Sequence, residues 1–169
     1  MNAEQLRAAQ APLKALYKEK PTAAQLTLHA RGRIGKESPT VRIETGHGKV
    51  LAGLHPATGG SGEDACSGDM LLEALAACAG VTLKAVATAL GIEIRDGHVL
   101  AEGDLDFRGT LGVAKNIPVG FSAIRLSFEI DSEASDEQLT TLLNLAERYC
   151  VIYQTLRQPP QITISRRPA

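Results

Sequence analysis

Between residues 71 and 90 apolar side chains are so dense that helical spacing leaves almost no polar face. Projected at about 100° per residue, Asp69, Glu73, Lys84 and Thr88 fall on one stripe, and Leu, Ala, Val and Gly dominate the rest. Ser67 is placed to cap the first N–H groups, Asp69 suits the first turn, and Gly91 offers a left-handed stop. The pattern predicts a helix over about 68–90, roughly 34 Å long at 1.5 Å per residue and buried nearly all round. Residues 3–19 repeat Leu6, Ala9, Leu13, Leu16 and Tyr17 at helical spacing, with Pro12 either kinking that helix or starting a second one. Alternation predicts a strand in QLTLHARGRI (25–34) and two in VRIETGHGKVLAGL (41–54), turning at Gly46-His47-Gly48.

Beyond Gly91 the period returns to two. HVLAEGDLDFRG (98–109) sends Val99, Leu105 and Phe107 inward, and FSAIRLSFEID (121–131) does the same with Ile124, Leu126, Phe128 and Ile130, a second antiparallel pair. Ser135 and Gln138 form a capping box ahead of a helix whose stripe is Leu139, Leu142, Leu143, Ala146 and Cys150. CVIYQTL (150–156) continues helically or turns, Pro159 and Pro160 stop it, and QITIS (161–165) reads as a last strand. Strands first, then helices interleaved with hairpins, predict an α+β fold with antiparallel sheets. One domain spans 1–169, with 1–22 as a helical extension and 23–166 as the core.

Composition narrows the function classes. Eighteen basic against nineteen acidic residues give a formal net charge of −1, so no global field draws nucleic acid or an anionic membrane. With 4% aromatic residues there is no stacking platform for single strands. The polar start MNAEQLRAAQAPLKALYKEK is not a secretory signal, and the longest nearly apolar run, 71–81, is short of a membrane span; the expectation is a soluble cytoplasmic protein. The glycine-rich stretch 55–66 lacks the Lys-Ser/Thr of a phosphate cradle, and Glu63, Asp64 and Asp69 would repel phosphate. His29, His47, His55 and His98 have no metal spacing with each other or with a cysteine, and no nucleophile elbow is present. Neither a metal nor a bound cofactor is expected.

Three cysteines remain: Cys66, Cys78 and Cys150. They are too few for a secreted disulfide framework, and in a reducing compartment a disulfide is transient and catalytic. A lone cysteine among alanines is ordinarily a small buried hydrophobe. Cys78 lies too far along its helix for the N-terminal dipole, Glu73 and Asp69 point elsewhere, and burial alone pushes a thiol up, so any activating group belongs to another element.

The order of these features is specific. The glycine-rich loop, SGDMLLEALAACAGVTLKAVATALGI, the hairpin VLAEGDLDFRG with VGFSAIRLSFEID, and LLNLAERYCVIYQTL together resemble the OsmC/Ohr family of hydroperoxide reductases over about residues 23–166. The resemblance implies antiparallel sheets packed around a long buried central helix in an intertwined homodimer. It places the attacking thiol at Cys78, within a small-small-Cys stretch, and a second thiol at Cys150, where Val151 stands for the family's proline. It also implies reduction of organic hydroperoxides in oxidative stress defence and recycling by an external dithiol. Relatives carry an arginine in the loop before the central helix and a glutamate ten residues before the first cysteine. Here no arginine lies between Arg42 and Arg95 and that glutamate position is Gly68, which leaves Asp69, His55 and Arg42, with Arg31 or Arg33, as auxiliary candidates. Two further functions stay open: a weakly active or non-catalytic protein binding a small lipophilic or thiol-containing ligand, and cysteines that only pack.

Overall fold

The predicted central helix forms as α2 (Ser67–Leu90), and Gly91 ends it in the left-handed conformation at φ 71°, its N–H reaching the carbonyls of Ala87 and Thr88. The computed structural model describes residues 1–46 and 48–166; the expected turn residue His47 lies outside them. Ser67 is the first helical residue rather than the cap. Cys66 holds the cap position and makes no side-chain capping bond, because the chain enters α2 directly from strand pairing.

The strands form two sheets, of which the second packs on α2 and the first leads into it through its last strand. The first has the order β1 (Arg31–Ile34), β2 (Val41–Thr45), β3 (Gly48–Gly53), β4 (Ala65–Cys66), antiparallel except for the parallel pair β3–β4. The expected strand over 25–34 is thus trimmed to its last four residues, since among the described residues nothing pairs with or covers Leu26 and Leu28. The second sheet pairs β5 (Asp96–Asp104) with β6 (Ala123–Asp131), from Asp96 opposite Asp131 to Asp104 opposite Ala123. Its inner face carries Val99, Ala101 and Gly103 beside Ile124, Leu126, Phe128 and Ile130, in the predicted alternation. The strand stops at Asp104. Leu105 and Phe107 lie outside it, because Asp106 accepts from the Arg108 N–H and turns the chain into the one-turn helix α3 (Phe107–Thr110).

Two helices pack on the same side of α2 as the second sheet. Ser135 and Gln138 make the predicted capping box of α4 (Asp136–Tyr149), and α5 (Val151–Arg157) follows after a single extended residue, Cys150. A stripe one turn apart, Leu75, Ala79, Leu83 and Ala87, is what α2 buries. Leu83 and Ala87 meet Ile92, Leu142 and Ala146, with Phe128, Ile130 and Leu139 packed against them. Gly80 lets the helix approach the sheet: a Cβ there would lie 3.3 Å from Val99 Cγ2.

Burial nearly all round does not occur within one chain. The second sheet, α4 and α5 cover one side of α2, and Val81 on the other is 73% exposed. By length and composition α2 is able to cross a bilayer, longer than its apolar run alone indicated, but here its buried stripe meets protein. QITIS forms no strand and pairs with neither sheet; Ile162 is 82% and Ile164 97% exposed. At the N-terminus α1 (Ala3–Glu19) is one helix that accommodates Pro12 and opens with an Asn2–Gln5 capping box. Its expected apolar stripe is not buried, as the helix touches little beyond α2.

Candidate functional site

The break between α4 and α5 makes the site. Cys150 ends α4, its N–H bonded to the Ala146 carbonyl at 3.0 Å, and starts α5, its carbonyl accepting from the Gln154 N–H at 3.0 Å. Its extended backbone (φ −74°, ψ 109°) breaks the helix there, and the residue is 1% exposed. Cys78 sits opposite on α2, and the two thiols lie within hydrogen-bonding reach. Both cysteines are free.

Their acidities are pushed apart. Burial opposes ionisation of Cys78, but the Ile152 N–H, the Cys150 thiol, the Val151 N–H and the Thr82 hydroxyl together outweigh it, and its pKa falls below the ordinary thiol value. This corrects the expectation from burial alone. Activation does come from another element, but through the backbone amides of the residues just after Cys150 rather than through a charged side chain. Cys150 moves the other way: burial raises its pKa, the Tyr153 and Ile152 N–H groups oppose this, and the neighbouring Cys78 thiolate adds to the rise. The arrangement favours ionisation of Cys78 over Cys150.

Two cavities share Leu126 and Tyr153 in their linings, and the smaller is also lined by Cys150. One, about 330 Å³, is lined by Leu75, Phe121, Ile124, Leu126, Tyr153 and Arg157 among others. The second, about 240 Å³, is lined by Ala79, Leu126, Phe128, Glu147, Cys150 and Tyr153 among others. Their walls are mainly apolar, as ligand sites are, and the first reaches the usual size range.

Against this geometry stand the comparisons. The family model described as OsmC-like protein matches residues 60–165, a span holding both thiols, α2 and the second sheet. This chain belongs to the OsmC-like family. The solved OsmC-like protein of Mycoplasma pneumoniae superposes on it with a TM-score of 0.67 at 18% identity, over 80% of this chain and 90% of that one. An organic hydroperoxide resistance protein OsmC of Legionella pneumophila gives 0.62 at 20% identity, over 80% and 92%. The organic hydroperoxide resistance protein OhrB of Bacillus subtilis gives 0.52 at 21%, over 79% and 93%. At these identities the likeness is one of fold. No curated protein matches the chain.

Within this OsmC-like subunit the auxiliary candidates are not gathered at Cys78. Arg42 alternates with Val41 and Ile43, which line a third cavity with Ser67 and Met70 at the start of α2; Arg42 instead lines a cleft with Arg33 and Leu51 on the opposite face of the sheet. His55 caps the turn Pro56–Thr58, its Nδ1 accepting from the Ala57 N–H, and its ring stacks on Phe107 at 4.8 Å. Asp69 is exposed in the first turn of α2, about 13.5 Å along the axis from Cys78. Gly68 faces Cys66, Phe121 and Leu105, a packing position beside the end of β5. Sequence reasoning missed Thr82, Tyr153 and the amides of Val151 and Ile152. One signal was present: valine in place of proline restores a backbone N–H beside the second thiol.

Proposed function

We propose that this chain is a thiol-dependent hydroperoxide reductase in which Cys78 attacks and Cys150 resolves. The observation that carries the proposal is the pair of facing thiols with opposed acidities beside an apolar cavity. The Cys78 thiolate takes the distal oxygen of a hydroperoxide; the O–O bond breaks, and the alkoxide leaves with a proton as the alcohol, giving Cys78 sulfenic acid. The Cys150 sulfur then displaces hydroxide, which leaves as water with the Cys150 proton, and a Cys78–Cys150 disulfide forms. An external dithiol supplies the two electrons that reopen it by thiol exchange. The residues do this without a bound metal or cofactor.

The same reading includes a cytoplasmic location, where thiols are kept reduced, and a homodimer. Exposed Val81, Ile162 and Ile164 support the dimer, as apolar surfaces a second chain would cover. Gly68 and the lack of an arginine between Arg42 and Arg95 favour one alternative, a weakly active protein that binds a lipophilic or thiol-containing ligand.

One experiment separates them. Reduced protein is treated with stoichiometric cumene hydroperoxide, beside hydrogen peroxide, and followed by intact mass and peptide mapping. The reductase predicts rapid loss of two hydrogens, a Cys78–Cys150 linked peptide, preference for the organic peroxide, and no turnover in folded Cys78→Ser. Slow oxidation of Cys66 alone would replace it with the ligand-binding reading.

A further inference from the structure

The first sheet carries its charge on one face. Residues opposite each other across neighbouring strands share a face, so the rows Arg31–Glu44–Lys49 and Arg33–Arg42–Leu51 lie together, away from Val41, Ile43, Val50 and Ala52. Arg33 and Arg42 stand directly opposite, about 5 Å apart between Cβ atoms, a pairing of like charges that destabilises a sheet. The nearby acids do not answer it. Glu44 belongs to the neighbouring row and Asp64 lies over Gly53, the last residue of β3, yet among the described residues Arg33, Arg42 and Lys36 make no ion pair. Both arginines are exposed, so water softens their repulsion but supplies no counter-charge.

The turn from β1 to β2 completes a cleft beside them. It measures about 240 Å³ and is lined by Arg33, Ile34, Lys36, Thr40, Arg42 and Leu51, with Gly35 at the turn. Gly35 keeps the turn tight: its N–H donates to the Thr40 carbonyl at 2.8 Å, and a Cβ there would lie 2.5 Å from Thr40 Oγ1. Two guanidinium forks, an ammonium and a hydroxyl thus share one cleft whose lining holds no carboxylate among the described residues. Arginine forks match the oxygens of a phosphate two at a time, and a dianion carries charge enough for both. The cleft is smaller than drug-sized sites, which suits a phosphoryl group with a small organic body and not a polymer. Leu51, 43% exposed, and Ile34, 79% exposed, offer that body an apolar contact.

We propose that this cleft binds a small soluble phosphomonoester, its phosphate dianion on Arg33, Arg42 and Lys36 and its organic body against Ile34 and Leu51. The cleft shares no lining residue with the cavities at the thiols, so binding there is independent of the reductase reading.

The test is calorimetric titration of the intact reduced protein with phenyl phosphate, phenyl sulfate and inorganic phosphate at pH ~7.5, where the monoester is dianionic. Phenyl phosphate should bind most tightly, since the sulfate ester has a single charge and inorganic phosphate has no body for Leu51. Arg33→Gln and Arg42→Gln should each weaken it about tenfold, and Arg42→Lys by less. Arg31→Gln, one row away on the same face, should leave it nearly unchanged. Melting provides a second readout. Arg42→Gln relieves the like-charge pair, so the free variant should melt no lower than the parent, while phenyl phosphate no longer raises its melting temperature. Equal losses in Arg31→Gln and Arg42→Gln, or equal binding of the three anions, would mean a diffuse basic surface and overturn the site. Absence of saturable phenyl phosphate binding does the same, as does a lower melting temperature in Arg42→Gln with the ligand-induced rise intact. Flotation with phosphatidic acid vesicles separates the lipid source of the same chemistry: protein carried by vesicles but indifferent to phenyl phosphate would replace the soluble ester with a membrane surface.

Discussion

Replacing Val151 by proline removes one hydrogen-bond donor and little else. Val151 is the first residue of α5, where proline is well tolerated, and Cys150 before it already has the extended backbone that proline demands of its predecessor. The side chain is exposed, and among the described residues no backbone acceptor takes the Val151 N–H, so the donor lost is the one aimed at Cys78. A hydrogen bond to a charged acceptor contributes about 1.5–3 kcal/mol, and a partly exposed sulfur belongs at the lower end. That corresponds to about tenfold less thiolate at any pH well below the midpoint. The assay is the pH dependence of Cys78 alkylation by iodoacetamide, read on the Cys78 peptide. In Val151→Pro the inflexion should move up while the alkaline plateau stays. The stability sign follows from the same shift. Cys78 titrates below its unfolded value of 9.0, so its ionisation favours the folded state fully above that pH, and the increment is lost as pH falls through the folded value. The variant should show less of this gain. An unchanged inflexion in a protein with unchanged circular dichroism and melting would refute the assignment of the amide.

Two further predictions concern the scaffold. Leu142→Ala empties a fully buried position between α4 and α2 and should cost about 2–5 kcal/mol in urea unfolding, where a loss under ~1 kcal/mol would mean that α2 and α4 do not share this core. Asp106 is held down to about 2, first by the side chain of Arg108 and then by its backbone N–H, so Arg108→Ala should raise its NMR-detected midpoint toward 3.8; an unmoved midpoint would deny the ion pair in solution.

Much of the fold was legible because its signals are local. The period of α2, Gly91 at its end, the Ser135–Gln138 box and the alternation of β6 depend on neighbouring residues, and each appears where the pattern placed it. The misjudged segments are those where periodicity met no partner: 25–30, QITIS and the apolar stripe of α1 have the right pattern, but among the described residues the first two pair with no strand and the third is left unburied. Phe107 went astray for a related reason, a side chain–backbone bond from Asp106 competing with the strand.

For the site, the sequence by itself singled out Cys78 and Cys150 and required that any activating group come from elsewhere in the molecule. Which group that is, only the tertiary structure decided. A hydrogen bond to sulfur from the amides of Val151 and Ile152 depends on how α5 turns away from α4 at Cys150 and how α2 passes beside it. Backbone donors have no residue type of their own, so no motif announces them. The same limit applies to Arg157, whose place over an apolar cavity is set by packing rather than by any pattern along the chain.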